Sequence, residues 1–371
     1  MGQILLMNGR KKVALFDEQI VFGSPTYSLA EQYDSYLPYG FRSMDAWLEN
    51  RPAAKHRRHI RELMKLCGCD TVRGYIDVMH ATSLNDTFWV KDADSGLRWE
   101  DVSLYSNAFD DVVARVAFDG NGLYGIQFSP TRLSPELETS GNYPKCWIRD
   151  GGEICLMKAG SEGYANAGGE PYSEKFVSDM LDFLGYAHVT YTLERFHGRL
   201  ATKCRSFCTE ETGFVPMSSY MAERGYAGSL ADILQSVNET GCDSAFYHML
   251  ASDAVCVNTD RHIGNFGFLV HNETGEIRGF APIFDHNLAL LPGMMEGDNW
   301  KKMIREDCDT AFRTDFIITA RDAIQRFPEI RSDLIRLKQF EFHDPGFDCQ
   351  NWRIEAVNEI KEDQINRILR T

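Results

Sequence analysis

The chain has 371 residues, of which 43% are hydrophobic and 25% charged, and carries a formal net charge of -15. These proportions describe a globular protein, and the length favours more than one core. The acidic balance argues against direct nucleic-acid binding, because a polyanion is repelled unless a local basic patch compensates.

No apolar run approaches membrane-spanning length, and the start Met-Gly-Gln-Ile-Leu-Leu is too short for a secretion signal. A cytoplasmic protein with no membrane contact is therefore expected. Its ten cysteines then read as reduced thiols, since no two close pairs supply standard zinc spacing.

Taken in chain order, Ile4–Met7, Asn8-Gly9 and Val13–Phe16 read as a hairpin on a tight turn. Pro52–Leu66 reads as a helix crowded with Arg57, Arg58, Arg61 and Lys65. Its charges lie all round, as on a solvated surface, with an anionic partner site as the competing reading. Thr87–Lys91 and Leu97–Trp99 read as a second hairpin. Its loop starts like a calcium loop, but Ser103 stands where a glutamate is needed, so it reads as a turn.

From Pro144 the pattern changes. Lys145–Arg149 and Ile154–Lys158 form a hairpin ending in a lysine, followed by a mobile small-residue loop, Gly160–Gly169. Pro171 opens a helix with Phe176, Val177, Met180, Leu181 and Leu184 on one face, stopped by Gly185. Val189–Leu193 and Leu200–Cys204 are strand-like. After Cys208 the chain turns helical, with helices over Leu230–Val237 and Ala245–Val257, a hairpin over Phe266–Ala281, and a mostly helical remainder. The apolar stripe Ile354, Val357, Ile360, Ile365, Ile368 and Leu369 reads as core packing.

The chemistry concentrates in Val257–Gly267 and Ala281–His286. Asp260 and Asn265 share a polar loop between apolar segments, and Asp285 follows the hairpin. An acid, an amide and a second acid in this order are the parts of a phosphoryl-transfer site. Asp260 aligns or deprotonates a hydroxyl, while Asn265 and Asp285 offer hard oxygens to magnesium. Read singly, Asp260 is an Asx-turn residue and Asp285 a helix cap; their joint spacing favours function. His262 either contacts the transferred phosphate or steadies the loop. Arg261 either faces solvent or pairs with an acid. Lys158 is the candidate for the ATP phosphates with Lys145 as competitor, and Glu174 is its expected partner with Glu170 as alternative. Thr139-Ser140-Gly141-Asn142 offers amides and hydroxyls to phosphate, or is an ordinary turn.

Asn258–Gly267 and Ala281–Asp285, supported by Thr139–Trp147 and Glu170–Glu174, resemble the C-terminal kinase domain of HipA-like serine/threonine kinases. Residues 83–91 resemble the N-terminal region of the same group. The resemblance implies an α+β, two-lobed kinase fold with an extra N-terminal α/β region. Residues 1–125 would form that region, 126–208 the small β-rich lobe and 209–371 the helical large lobe. It implies ATP and Mg2+, with Asp260 as base, Asn265 and Asp285 on the metal, and Lys158 on ATP. It places Ser206 and Phe207 at the adenine hinge, and Ser140 or Thr139 at an autophosphorylation position in the phosphate loop. The phosphate acceptor would be a protein serine or threonine. A small DNA-binding antitoxin-like partner would dock on the chain if it is half of a toxin–antitoxin pair. The Asp-Arg-His-x-x-Asn pattern also resembles phosphatidylinositol kinases, which makes a lipid or small-molecule kinase the alternative. An ATP-binding pseudokinase module is a further one.

Overall fold

The structure, a computed structural model, describes residues 2–52, 63–64, 67–119, 133–139 and 141–370. Most of the basic segment expected as a helix, and Ser140 of the phosphate loop, lie outside the described residues. Among the described residues eleven strands form three antiparallel sheets.

The first sheet has β1 (Gly2–Asn8), β2 (Lys11–Val21), β3 (Ser24–Gln32) and β4 (Phe88–Asp92), in the order β3-β2-β1-β4. β1 is buried continuously from Ile4 to Met7, as suits a strand flanked on both sides. It pairs with β2 around Gly9-Arg10, so the expected first hairpin forms. The second does not. Leu97 and Arg98 are irregular, and Trp99 opens a short helix, Trp99–Val102. β4 pairs instead with β1, and Val90 N–H donates to the His80 carbonyl at 2.8 Å. Both edges of β4 thus find partners from elsewhere in the chain, which local pattern does not foresee. Asp92, at the head of the calcium-like loop, meets Arg73 through two 2.8 Å bonds.

The second sheet has β5 (Lys145–Asp150), β6 (Glu153–Ala159), β7 (Thr192–Phe196) and β8 (Arg199–Arg205), in the order β5-β6-β8-β7. Lys145 lies directly opposite Lys158 across the β5–β6 ladder. Residues directly opposite in an antiparallel pair share a face, so both ammonium groups leave the sheet on one side. The helix Glu170–Leu184 follows, with Phe176, Val177, Met180 and Leu181 all buried. The helix Asp111–Asp119, which precedes the expected boundary at 125, packs against this sheet, with Phe118 edge-on to Phe196 at 4.9 Å.

The loop over Gly160–Gly169 is tied down rather than loose. Asn166 Nδ2 donates to the Gly293 carbonyl at 2.9 Å, and Ser161 N–H to Glu170 at 3.1 Å. A Cβ on Gly169 would lie 2.1 Å from the Pro292 carbonyl oxygen, so only glycine permits this approach.

The third sheet has β9 (Thr212–Pro216), β10 (Gly267–His271) and β11 (Ile277–Phe280), in the order β11-β10-β9. The β10–β11 hairpin is the one expected. β9 is not, because a five-residue strand whose partner lies some fifty positions away leaves little local signal. Around it gather the helices of the largest core. The helix Asp243–Cys256 is buried at every position from Met249 to Cys256. Phe316–Arg326 and Asn351–Leu369 enclose it, and Val357, Ile360, Ile365 and Ile368 are core residues as expected. No helix among the described residues is long and apolar enough to cross a membrane. All ten cysteines are free thiols.

The N-terminal region, sheet and following segments together, braces both other layers. Arg149 on β5 donates to the carbonyls of Leu104, Tyr105 and Asn107. Asn8 Nδ2 bonds the Asn272 carbonyl at 2.7 Å, and Phe214 N–H bonds the Asn85 carbonyl at 2.7 Å. At the junction, Arg51 grips Asp86 with two 2.6 Å bonds, and the Tyr75 hydroxyl donates to Glu138 at 2.8 Å. Burial outweighs Arg51 here and pushes the Glu138 carboxyl up to about 7. The folded protein therefore keeps a proton that the unfolded chain releases near pH 4.5. This contribution to stability is complete below the unfolded value and is lost as pH rises through about 7. Urea unfolding followed across that window should show the decline in the wild type and a shallower one in Glu138→Gln.

Candidate active site

Lys158, at the end of β6, is the centre of the site. Its ammonium contacts Glu174 Oε1 at 2.7 Å and Asp285 Oδ1 at 2.5 Å. One cation therefore joins a strand, the following helix and the turn after β11. Glu174 is fully buried, and its second oxygen accepts from Thr202 Oγ1 on β8 at 2.5 Å. Glu170, the alternative partner, instead accepts the Ser161 amide. Burial disfavours the charged form of Lys158, but Asp285 and Glu174 overcome it and raise its pKa. Burial also pushes against ionisation of Asp285, yet Lys158, Lys145 and Arg261 hold it far below the usual carboxylate range. Glu174 goes the other way: burial raises its pKa beyond what Lys158 recovers. Of the two carboxylates that share the lysine, Asp285 is the firm anion.

Asp285 has φ +60, a left-handed conformation that is uncommon outside glycine. Its N–H donates to the Tyr191 hydroxyl at 3.1 Å. Lys145 stands on the same face, close enough to bear on Asp285. A Cβ at Gly141 would lie 2.4 Å from Lys145 Nζ, so the glycine leaves room for this ammonium. Thr139 is less available: its hydroxyl donates to the Pro135 carbonyl at 2.7 Å and accepts from Trp147 Nε1 at 2.9 Å.

The loop carrying Asp260 begins where the helix Asp243–Cys256 stops. Val257 has φ +52 and is fully buried, which turns the chain sharply. Asn265 Nδ2 donates to the Asp260 carbonyl at 3.0 Å, and Asn265 N–H to the His262 carbonyl at 2.8 Å. The loop is thereby closed on itself through the amide nitrogen of Asn265. His262 is exposed and accepts the Gly264 N–H on Nδ1 at 3.0 Å, a loop-steadying contact. Asp260 is half-buried; burial first, and then the charge of Asp285, raise its pKa against His262, Lys158 and Arg261. The two aspartates thus feel one another. Tyr143 reports the same cluster: its ring centroid lies 6.0 Å from Lys158 Nζ. Burial and the charges of Glu170, Asp260 and Asp285 push its phenol up to about 12.

A carboxylate and an amide oxygen are a hard donor set. They suit magnesium, which takes one or two protein oxygens and completes its shell from phosphate and water. No group of three or more His, Cys, Asp or Glu side chains able to hold a metal occurs among the described residues.

At the expected hinge, Ser206 is committed internally. Its N–H donates to the Ile154 carbonyl, and its hydroxyl and the Cys208 backbone bond each other. Phe207 packs against Phe214 and Phe284, each at 5.5 Å. Phe284 immediately precedes Asp285, so the hinge aromatic reaches the acidic centre.

Sequence reasoning missed Thr202, Tyr191, Asp253 and His286, and of the two readings open for Arg261 the structure takes the pairing with an acid. Arg261 is inside the protein, with Nε 2.9 Å from Asp253 Oδ2. Asp253 could have been found, since an acid in an otherwise apolar run of a buried helix requires a partner.

No family model matches the chain. It is 26% identical over 133 residues to the serine/threonine-protein kinase CtkA of Helicobacter pylori, covering 33% of this chain. The match spans 41% of that protein's length. A solved structure of the H. pylori proinflammatory kinase CtkA gives a TM-score of 0.47 at 19% identity, over 62% of this chain and 89% of that one. The Shewanella oneidensis HipA structure, a toxin–antitoxin complex with HipB and operator DNA, gives 0.53 at 10% identity. It covers 98% of this chain and 96% of that one. The chain thus has the α+β HipA fold over nearly its whole length, and the expected resemblance is borne out at the level of fold.

Lys158 and Glu174 are both buried, and removing one strands the other. Lys158→Met should lower unfolding free energy by about 3–5 kcal/mol. Lys158→Met/Glu174→Met should recover much of that loss, as measured by chemical denaturation.

Proposed function

We propose that the chain is an ATP- and magnesium-dependent protein serine/threonine kinase. The observation that carries this reading is Lys158 bridging Glu174 and Asp285, with Asp260 close enough to feel the Asp285 charge. A lysine paired to a helix glutamate beside an acidic pair is what phosphoryl transfer asks of a protein, because catalysis there is positioning and charge stabilisation. The similarity to CtkA supports the assignment of the acceptor as a protein hydroxyl.

Bound to magnesium, ATP supplies the electrophilic phosphoryl group. Asp285 and the Asn265 amide oxygen would hold the metal. Lys158, with Lys145 beside it, neutralises phosphate charge. Gly141 lets the phosphate loop lie close to these lysines. Asp260 accepts a hydrogen bond from the incoming hydroxyl and orients it for in-line attack; its raised proton affinity suits a base. His262 holds the loop in shape through Gly264. Phe207 and Phe284 offer an apolar wall for the base, and Glu174 keeps Lys158 pointed at the centre. The boundaries 1–125, 126–208 and 209–371 serve as the proposed division into N-terminal region, small lobe and large lobe.

A small antitoxin-like partner is part of the proposal, by analogy with the HipA–HipB–operator complex. The charge of -15 implies that any DNA contact would come through such a partner. A cytoplasmic location accords with this chemistry, since ATP is abundant there.

Purified protein incubated with radiolabelled ATP, magnesium and cell lysate should transfer label to a protein band, and not to lipid vesicles assayed in parallel. Asp260→Asn should slow transfer by roughly 10²-fold or more while circular dichroism stays unchanged. Asp285→Asn should likewise bring it to background, and Lys158→Ala should weaken ATP use more than Lys145→Ala. Near-normal turnover in Asp260→Asn, or label in lipid alone, would overturn the assignment.

A further inference from the structure

Arg261 uses its whole hydrogen-bonding capacity on three segments that the site needs in register. A guanidinium carries five N–H donors and no acceptor. Nε donates to Asp253 Oδ2 at 2.9 Å. Nη2 meets Asp253 Oδ1 at 3.1 Å and His286 Nε2 at 2.9 Å. Nη1 donates to the carbonyls of Asn265 at 2.8 Å and Phe284 at 2.5 Å. All five donors are matched, and the side chain is only 2% exposed.

The acceptors are not scattered. Asp253 belongs to the helix that launches the Asp260 loop, and its Oδ1 also takes the Asn258 amide at 2.9 Å. Asn265 closes that loop. Phe284 and His286 flank Asp285, whose left-handed backbone needs support from its surroundings. Because Arg261 can only donate, His286 must accept through an unprotonated Nε2, which leaves the ring proton on Nδ1. Arginine is required for this geometry. A lysine has three donors on one freely rotating atom and cannot reach all four groups in one plane.

We propose that Arg261 is a positioning residue that fixes the separation between the Asp260–Asn265 loop and Asp285, and that His286 serves as the acceptor completing its clamp. Arg261 itself touches no reacting atom. The clamp fixes the Asn265 and Asp285 segments relative to one another, so that both side chains could serve one cation, and the proposal rests on the kinase reading in naming that cation magnesium.

The test uses the full chain with His286→Leu, His286→Gln and Arg261→Lys. Leucine removes the acceptor, whereas the glutamine amide oxygen can replace it. Amide hydrogen exchange should quicken in His286→Leu within both 258–267 and 284–287 by more than the global loss of stability, read from the unfolding midpoint, accounts for. His286→Gln should restore protection in both segments. The magnesium concentration giving half-maximal ATP binding should rise several-fold in His286→Leu, while ATP binding measured in EDTA stays as in wild type. Turnover should fall roughly tenfold or more, as small misplacements of reacting groups do. Arg261→Lys should behave like His286→Leu; should it fail to fold, the two His286 variants still decide the matter. Exchange confined to 284–287, or equal losses in both His286 variants, would overturn the clamp. A wild type that transfers no phosphate, yet shows the paired exchange response, would sink the kinase reading and leave the clamp standing.

Discussion

A buried ammonium shared by two carboxylates organises this molecule. Lys158 on β6 meets Glu174 from the next helix and Asp285 from the turn after β11. Each of these groups is costly to bury alone, so the three must arrive together. The arrangement forces the second sheet and the helical layer to close around one point. It also leaves Asp285 strongly anionic, held there by Lys158, Lys145 and Arg261 against the cost of burial.

A second buried ion pair stands behind the first. Asp253 and Arg261 are both almost wholly enclosed, and the guanidinium spreads its donors over two loops. The front cluster is partly open at Asp285, whose side chain is 24% exposed. The rear cluster is closed, with every arginine donor used. Rigid support behind an adaptable front is the arrangement by which reactive groups are kept within tight tolerances. The left-handed backbone of Asp285 and Val257 marks where the chain is bent to serve it.

The N-terminal sheet belongs to the same logic. Its first strand bonds the third sheet through Asn8, and the segments beside it bond the third sheet through Asn85 and β5 through the carbonyls that Arg149 holds, so together they span the join between the two other layers. A brace across that join restrains how the layers move relative to one another. Glu138 sits at that join, hydrogen-bonded to Tyr75, with its carboxyl pushed up by burial.

Much of the architecture could be read locally. The β1–β2, β5–β6 and β10–β11 hairpins announce themselves by short apolar runs on either side of turn residues, and the Glu170–Leu184 helix by its 3.6 period. The candidates Asp260, Asn265 and Asp285 were legible because acid, amide and acid sit at the ends of such runs. β9, the pairing of β4 with β1 and the anchoring of the Gly160–Gly169 loop were not legible, because the partners lie far along the chain. Lys158 and Glu174 were preferred over Lys145 and Glu170 from the sequence, but their meeting with Asp285 at one point was out of reach. Sequence determined which side chains were available and in which local conformation. Which lysine found which glutamate, and that Arg261 turned inward while Asp260 stayed half open, was decided by tertiary packing, since desolvation and ion pairing depend on three-dimensional distance.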